Sequence, residues 1–315
     1  MENKKHDLRD FPTLEKAKQA VDILNTYKFP LFSKEDSPNE FSKLVTNKIR
    51  DEFGILLYGV QPHKLKSMTL PFFRVRELDS FNNINLISEH AYPPSNVVGM
   101  GRCNFPKFPV FYCSNSPMIA LTEVIREYDS SNRKYCLSKW EIIPSEEEFF
   151  FQHIFPPNTP EENIFRRIHT SMLERIGEPF EGELPDDLKE GLKEQITYIG
   201  KQFIEDRSYS ISASLAHYSL YAEHNLATDI LMYPSVQSVL KGSNMAVHPN
   251  FVDNNMCLKR LYVVQVNNYK QGEKQMNITF LNYAKVVKNK ILWYSINPPN
   301  EEFQGFLKED FDFSS

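Results

Sequence analysis

Glu123 places a carboxylate where the chain is otherwise apolar, inside the run "MIALTEVI". Ser116 can cap a helix here and Pro117 suits its first position, where no backbone donor is lost. Glu123 is then too deep to serve as a cap. Ile119 and Ala120 share its side of the helix, and Met118, Leu121, Val124 and Ile125 cover much of the remaining circumference. An ionised group in such company is costly if buried, so it needs either solvent or a purpose. Four more residues of chemical interest are scattered along the chain: Arg74 in "FFRVR", Arg102 in "GMGRCN", Tyr112 in "PVFYC" and Ser235 in "YPSV". Taken singly, each also has an ordinary structural reading. Arg74 could present its head at a sheet edge and Tyr112 could be core. Ser235 could be a turn residue after Pro234, and Arg102 could pair with any surface carboxylate.

Several common machineries are absent. There is no GxxxxGK[ST] phosphate loop, no GxSxG elbow and no HExxH zinc motif, and "GMGRCN" has only two of the three glycines of a dinucleotide fingerprint. His217 and His224 are one heptad apart on a predicted helix, but no third ligand accompanies them, so packing or surface roles are expected rather than a metal site. The four cysteines, Cys103, Cys113, Cys136 and Cys257, show no CxxC spacing and read as free thiols. A net charge of −5 and the lack of a Lys/Arg block argue against direct nucleic-acid binding, and point to a small molecule or a protein. With 24 Phe and 15 Tyr the chain is too hydrophobic to be disordered. No apolar stretch reaches the roughly 20 residues of a membrane span. The charged start "MENKKHDLRD" lacks a following apolar region, so no membrane association is expected and the cytoplasm is the expected location.

Around these residues the elements are legible. Leu14, Ala17, Val21 and Leu24 follow Thr13 at helical spacing. "SPNE" at 37–40 reads as a capping box before Phe41, Leu44, Val45 and Ile49, with Gly54 closing the helix. "LPFFRVREL", "PVFYC" and "DILMYPSV" look like strands. Between the strand-like "YCLSKWEII" and "SYSISASL", residues 144–205 hold 14 acidic against 6 basic residues. Thr159, Pro160 and Glu162 form a second capping box there. Leu188, Leu192, Ile196, Ile199 and Phe203 repeat at helical spacing, so the stretch reads as an amphipathic helical insertion. "LYVVQV", "MNITFL" and "KILWYSI" supply strands near the end.

Taken together, the pattern resembles the RES domain, a bacterial family typical of the toxin half of toxin–antitoxin pairs. The resemblance lies in an ordered series of motifs. An Arg follows an aromatic strand in "FFRVR", then comes the Gly-Arg-x-Asn turn of "GRCN", then "PVFYC" running into a Ser-Pro helix with Glu. "YPSV" follows, with a downstream Asn and His-Pro in "YPSVQSVLKGSNMAVHPNF". It covers roughly residues 70–143 and 206–266. The implied fold is α+β: an ADP-ribosyltransferase-like mixed β-sheet core with surrounding helices. Residues 1–69 form an N-terminal helical segment before a catalytic domain over 70–315, with the acidic insertion at about 144–205. The implied activity consumes NAD⁺ as a substrate and usually splits off nicotinamide, with no prosthetic group and no metal. Carried over by motif, Glu123, Arg74 and Ser235 are the catalytic positions, and Arg74, Arg102, Tyr112, Ser235 and Asn244 contact the dinucleotide. Arg76 competes with Arg74 for its place. An antitoxin protein on a separate chain and a second copy of the chain are the partners left open.

The chemistry suits these residue types. Breaking the nicotinamide–ribose bond passes through an oxocarbenium-like sugar, which a nearby carboxylate stabilises. Guanidinium groups at Arg74 and Arg102 would clamp the pyrophosphate with two bonds each. Tyr112 would stack on the nicotinamide or pack beside its ribose, and Ser235 would orient that ribose or Glu123. The acceptor would be water or phosphate, with a protein side chain as the alternative. A catalytically inert RES-like binding module is the remaining reading.

Overall fold

Thr13 starts the first helix as expected: its side chain accepts from the Lys16 amide, 3.3 Å away. The computed structural model describes residues 10–57, 59–125, 132–176, 184–223, 227–269, 276–296 and 300–312. Its strands are β1 (Val60–Lys64), β2 (Phe72–Glu77), β3 (Phe111–Ser114), β4 (Lys134–Ile142), β5 (Glu148–His153), β6 (Ile230–Pro234), β7 (Ser243–Val247), β8 (Met256–Tyr269), β9 (Met276–Val287) and β10 (Lys290–Ser295). Its helices are α1 (Leu14–Thr26), α2 (Pro38–Phe53), α3 (Ile87–His90), α4 (Pro117–Ile125), α5 (Arg166–Glu174), α6 (Asp186–Glu205), α7 (Ser210–Leu220), α8 (Pro249–Asn255) and α9 (Glu301–Phe311). Parallel and antiparallel pairs both occur, so the α+β class with mixed strand pairing is as expected.

The chain divides into two packing units. The first, residues 1–61, 95–108 and 150–234, gathers the N-terminal helices and most of the acidic stretch. Helix α1 lies on α6 so closely that a Cβ at Gly191 would fall 2.1 Å from the Pro12 carbonyl oxygen. Helix α2 meets α7, where the buried Ser42 hydroxyl donates to the Ser214 carbonyl at 2.8 Å. Strands β5 and β6 run parallel, with Gln152 opposite Leu231. Several local expectations change here. Ser37 makes no side-chain cap on α2, although Pro38 begins the helix and Gly54, at φ +83°, ends it. Leu44 faces solvent. Thr159 caps nothing, because its hydroxyl bonds the Pro156 carbonyl, and α5 starts only at Arg166. The opening of the insertion is strand β5 rather than helix, and the strand-like "SYSISASL" lies largely in helix α7. Asp206 explains the latter: its carboxylate accepts the amides of Ile211 and Ser212 at 2.7 and 3.0 Å, and small Ser and Ala side chains let the helix be buried all round.

Two histidines of this unit make its stability depend on pH. His169 and His217 are 5% and 3% exposed, and burial pushes each down to about 4. Both are neutral in the fold at pH 7, while the unfolded chain protonates its histidines near pH 6.5. Their contribution is complete above that pH and is lost as pH falls from about 6.5 to about 4, at most about 3 kcal/mol for each. Urea midpoints measured from pH 7 to 5 should therefore fall, and His169→Gln with His217→Gln should flatten that slope.

The second unit, residues 62–94, 109–149 and 235–315, is built on antiparallel strands in the order β7-β3-β2-β4-β8-β9-β10. Alternation along β2 sends Phe73 and Val75 to one face. There they pack with Leu137, Tyr262 and Val264, with Ala120 and Leu121 of α4, and with Phe303 and Phe311 of α9. Helix α9 is tied down by charge as well. The Asp310 carboxylate receives Lys139 at 2.8 Å, Arg260 at 3.1 Å and the Tyr262 hydroxyl, while Glu309 also accepts from Lys139 and Arg260 at 2.7 and 2.6 Å. Hydrogen bonds to Asp310 and Glu309 hold Lys139 above the usual lysine range, even though burial, the largest influence, opposes them.

Candidate active site

Helix α4 leaves β3 after the turn Ser114–Ser116, and the Ala120 amide donates to the Ser116 carbonyl in its first turn. Glu123 lies half-buried on α4. Its Oε1 accepts from the Ser235 hydroxyl at 2.5 Å and from the Asn244 side-chain amide at 2.8 Å. These three residues, expected to converge, meet in hydrogen-bonding contact across 112 and 121 positions of sequence. Ser235 is 0% exposed and Asn244 5%. Buried polar groups of this kind must find partners, and the carboxylate is one for both.

The loop after β6 is shaped to deliver Ser235. The Ser235 amide donates to the Gly242 carbonyl, and its own carbonyl accepts from the Leu240 amide, both at 2.8 Å. Ser238 closes the loop: its amide donates to Ser235 Oγ at 3.2 Å and its hydroxyl to the Ser235 carbonyl at 3.1 Å. Val239 and Leu240 both take left-handed conformations, at φ 54° and 63°, which is rare for a β-branched residue and is upheld only by surrounding structure. Gly242 is required for closeness, since a Cβ there would lie 2.5 Å from the Ile119 side chain of α4.

Tyr112 shares its face of β3 with Ser114, because it stands two residues away and opposite Ala246 of β7. Ser114 in turn stands opposite Asn244 in the register and donates to its Oδ1 at 2.5 Å. Tyr269 completes the surroundings. Burial raises its phenol above the usual range, and the charge of Glu123 adds to the shift.

The arginines each have partners within their own unit. Arg74 alternates with Phe73, so it emerges on the opposite face of the strands from Ser114, Asn244 and Glu123. There its guanidinium lies 5.6 Å from the Phe111 ring centre, and Nη1 donates to the Tyr112 carbonyl at 3.1 Å. Its buried Nε has no partner, and burial, reinforced by Arg76, lowers it to about 10. Arg76 lies two positions further along β2. It pairs with Glu89 at 3.4 Å and stacks over Phe81. Arg102 belongs to the first unit. Its Nη1 donates to the Phe203 and Ile204 carbonyls in the last turn of α6, and its guanidinium lies 5.2 Å from the Tyr209 ring centre. Asn104 closes the same turn by donating to the Gly99 and Phe105 carbonyls.

Sequence reasoning missed Ser114, Ser238 and Gly242. For Ser238 a signal existed, since a serine three residues after another in a turn is a common side-chain-to-backbone bridge. Among the described residues no group of three His, Cys, Asp or Glu could hold a metal ion, and His224 lies outside them. All four cysteines are free, as expected. Among the described residues no helix is long and apolar enough to cross a membrane.

The family model of the RES domain matches residues 71–256, well over half of the chain. The chain belongs to the RES domain family. RES domains are associated with NAD-utilising enzymatic activity and with toxins. The matched stretch takes in the helix with Glu123, the Ser235 loop and Asn244, together with α5, α6 and α7. Helices α1 and α2 precede the RES match, and β9, β10 and α9 follow it. Comparison with curated proteins gives no match.

Proposed function

We propose that this RES protein cleaves the nicotinamide–ribose bond of NAD⁺, with water or inorganic phosphate as acceptor. The supporting observation is the Glu123 carboxylate, held by two donors that are both buried and both fixed by further bonds. In the reaction the bond between the sugar carbon and the pyridinium nitrogen breaks, and its electron pair neutralises the ring. Positive charge grows on the ribose, and a pre-oriented carboxylate stabilises it without reorganising. The acceptor oxygen then bonds the same carbon; water loses its proton to solvent. Tyr112, on the same face of β3, offers a flat surface for the departing ring or its ribose. Ser235 and Asn244 hold Glu123 in place. The reading rests on these groups of the second unit, and Arg74 and Arg102 keep the partners described above. Unrestrained, such an activity would deplete NAD⁺ and stop growth, which suits a toxin neutralised by a separate protein.

The test is the full chain incubated with NAD⁺ alone. Free nicotinamide should appear, with ADP-ribose in plain buffer or a phosphorylated ADP-ribose when phosphate is added. Release that requires an added acceptor protein would replace this reading by ADP-ribosyl transfer. No release under any of these conditions would leave a binding module.

A further inference from the structure

We infer that Ser114 is a positioning residue for this reaction, acting through the side-chain amide of Asn244. The inference rests on the proposed role of Glu123. An asparagine amide has nearly the same shape in its two flipped forms, but only one of them can donate to a carboxylate. With Nδ2 toward Glu123 it makes the observed 2.8 Å bond; reversed, it would set two acceptors against each other. In the productive form Oδ1 points away from Glu123, and it needs a donor because Asn244 is 5% exposed. Ser114 supplies that donor at 2.5 Å and is itself 2% exposed.

The placement follows from the strands. Ser114 is the last residue of β3, and the β3–β7 register sets it directly opposite Asn244. A serine hydroxyl is one bond from Cβ, so fixing the strand pair fixes the oxygen to within one rotamer. Three residues later Pro117 begins the helix that carries Glu123. One short segment thus places both the acid and the group that orients one of its donors. The other donor is set in the same manner. The Ser238 amide donates to Ser235 Oγ, which directs the Ser235 proton toward Glu123. Both chains, Ser114 to Asn244 to Glu123 and Ser238 to Ser235 to Glu123, run through two hydrogen bonds, and in each the first polarises the second.

Ser114→Ala and Ser114→Thr in the full chain test this. The kcat of nicotinamide release should fall about tenfold in Ser114→Ala with KM within about twofold, and Ser114→Thr should restore it. A purely structural role would instead lower thermal stability and change KM and kcat together, overturning the inference. A second measurement needs no turnover. The Asn244 side-chain amide signals, assigned by their loss in Asn244→Asp, should exchange with solvent much faster in Ser114→Ala than in the native chain. Unchanged exchange would overturn the positioning role. A native chain that releases no nicotinamide would overturn the proposed function while leaving the exchange result to decide on Ser114.

Discussion

Glu123→Gln should cut nicotinamide release by about a hundred- to a thousandfold while leaving NAD⁺ affinity within a few-fold, the loss typical when a pre-oriented electrostatic group is removed. The substitution is close to isosteric. Its side-chain oxygen can still accept from Ser235 and Asn244, so the two bonds that hold residue 123 survive. What disappears is the negative charge that, in the proposed reaction, would meet the forming sugar cation. Single-turnover release measured beside calorimetric NAD⁺ binding separates these terms. Equal loss of both would indicate a damaged site rather than a lost charge.

Asp310→Ala should destabilise the second unit by about 3–5 kcal/mol, the range found when one partner of a buried ion pair is removed. Asp310 has a side chain 0% exposed and Lys139 one 5% exposed, so water cannot replace the lost carboxylate for Lys139. Arg260 and the Tyr262 hydroxyl lose the same acceptor. Glu309 remains as a partner for both cations, but its side chain is 52% exposed and it compensates only in part. Helix α9 should then detach first, baring Phe303 and Phe311. Urea unfolding followed by fluorescence would register this, and a loss below about 1 kcal/mol would show that apolar contacts alone seat the helix.

Much of the site was legible because its residues sit in ordered motifs with local signals. The Ser-Pro start of α4 places Glu123 at a definable depth, and the turn after Pro234 isolates Ser235. The helical repeat of Leu192, Ile199 and Phe203 likewise holds in α6. What escaped were facts of long range. Which side of the sheet Arg74 takes depends on pairing with β3 and β4, and alternation alone cannot say which face is which. The motif could not show that Arg102 donates to the carbonyls ending α6, about a hundred residues later. Ser114 reads as an ordinary residue before a helix until the register sets it against Asn244. "SYSISASL" resembled a strand because nothing within it shows that Asp206, just upstream, gathers its amides.

Glu123 and its two donors are separated by more than a hundred residues, and that separation gives the protein a timetable. A ribosome making this chain releases the acid early, then makes the whole of β5, α5, α6, α7 and β6 before Ser235 and Asn244 exist. Until then the acid lacks both groups that hold it, and the pairing that turns Asn244 toward it has no second strand. On the proposed function, a nascent chain would therefore lack the assembled site until Asn244 has been made, 121 residues after Glu123.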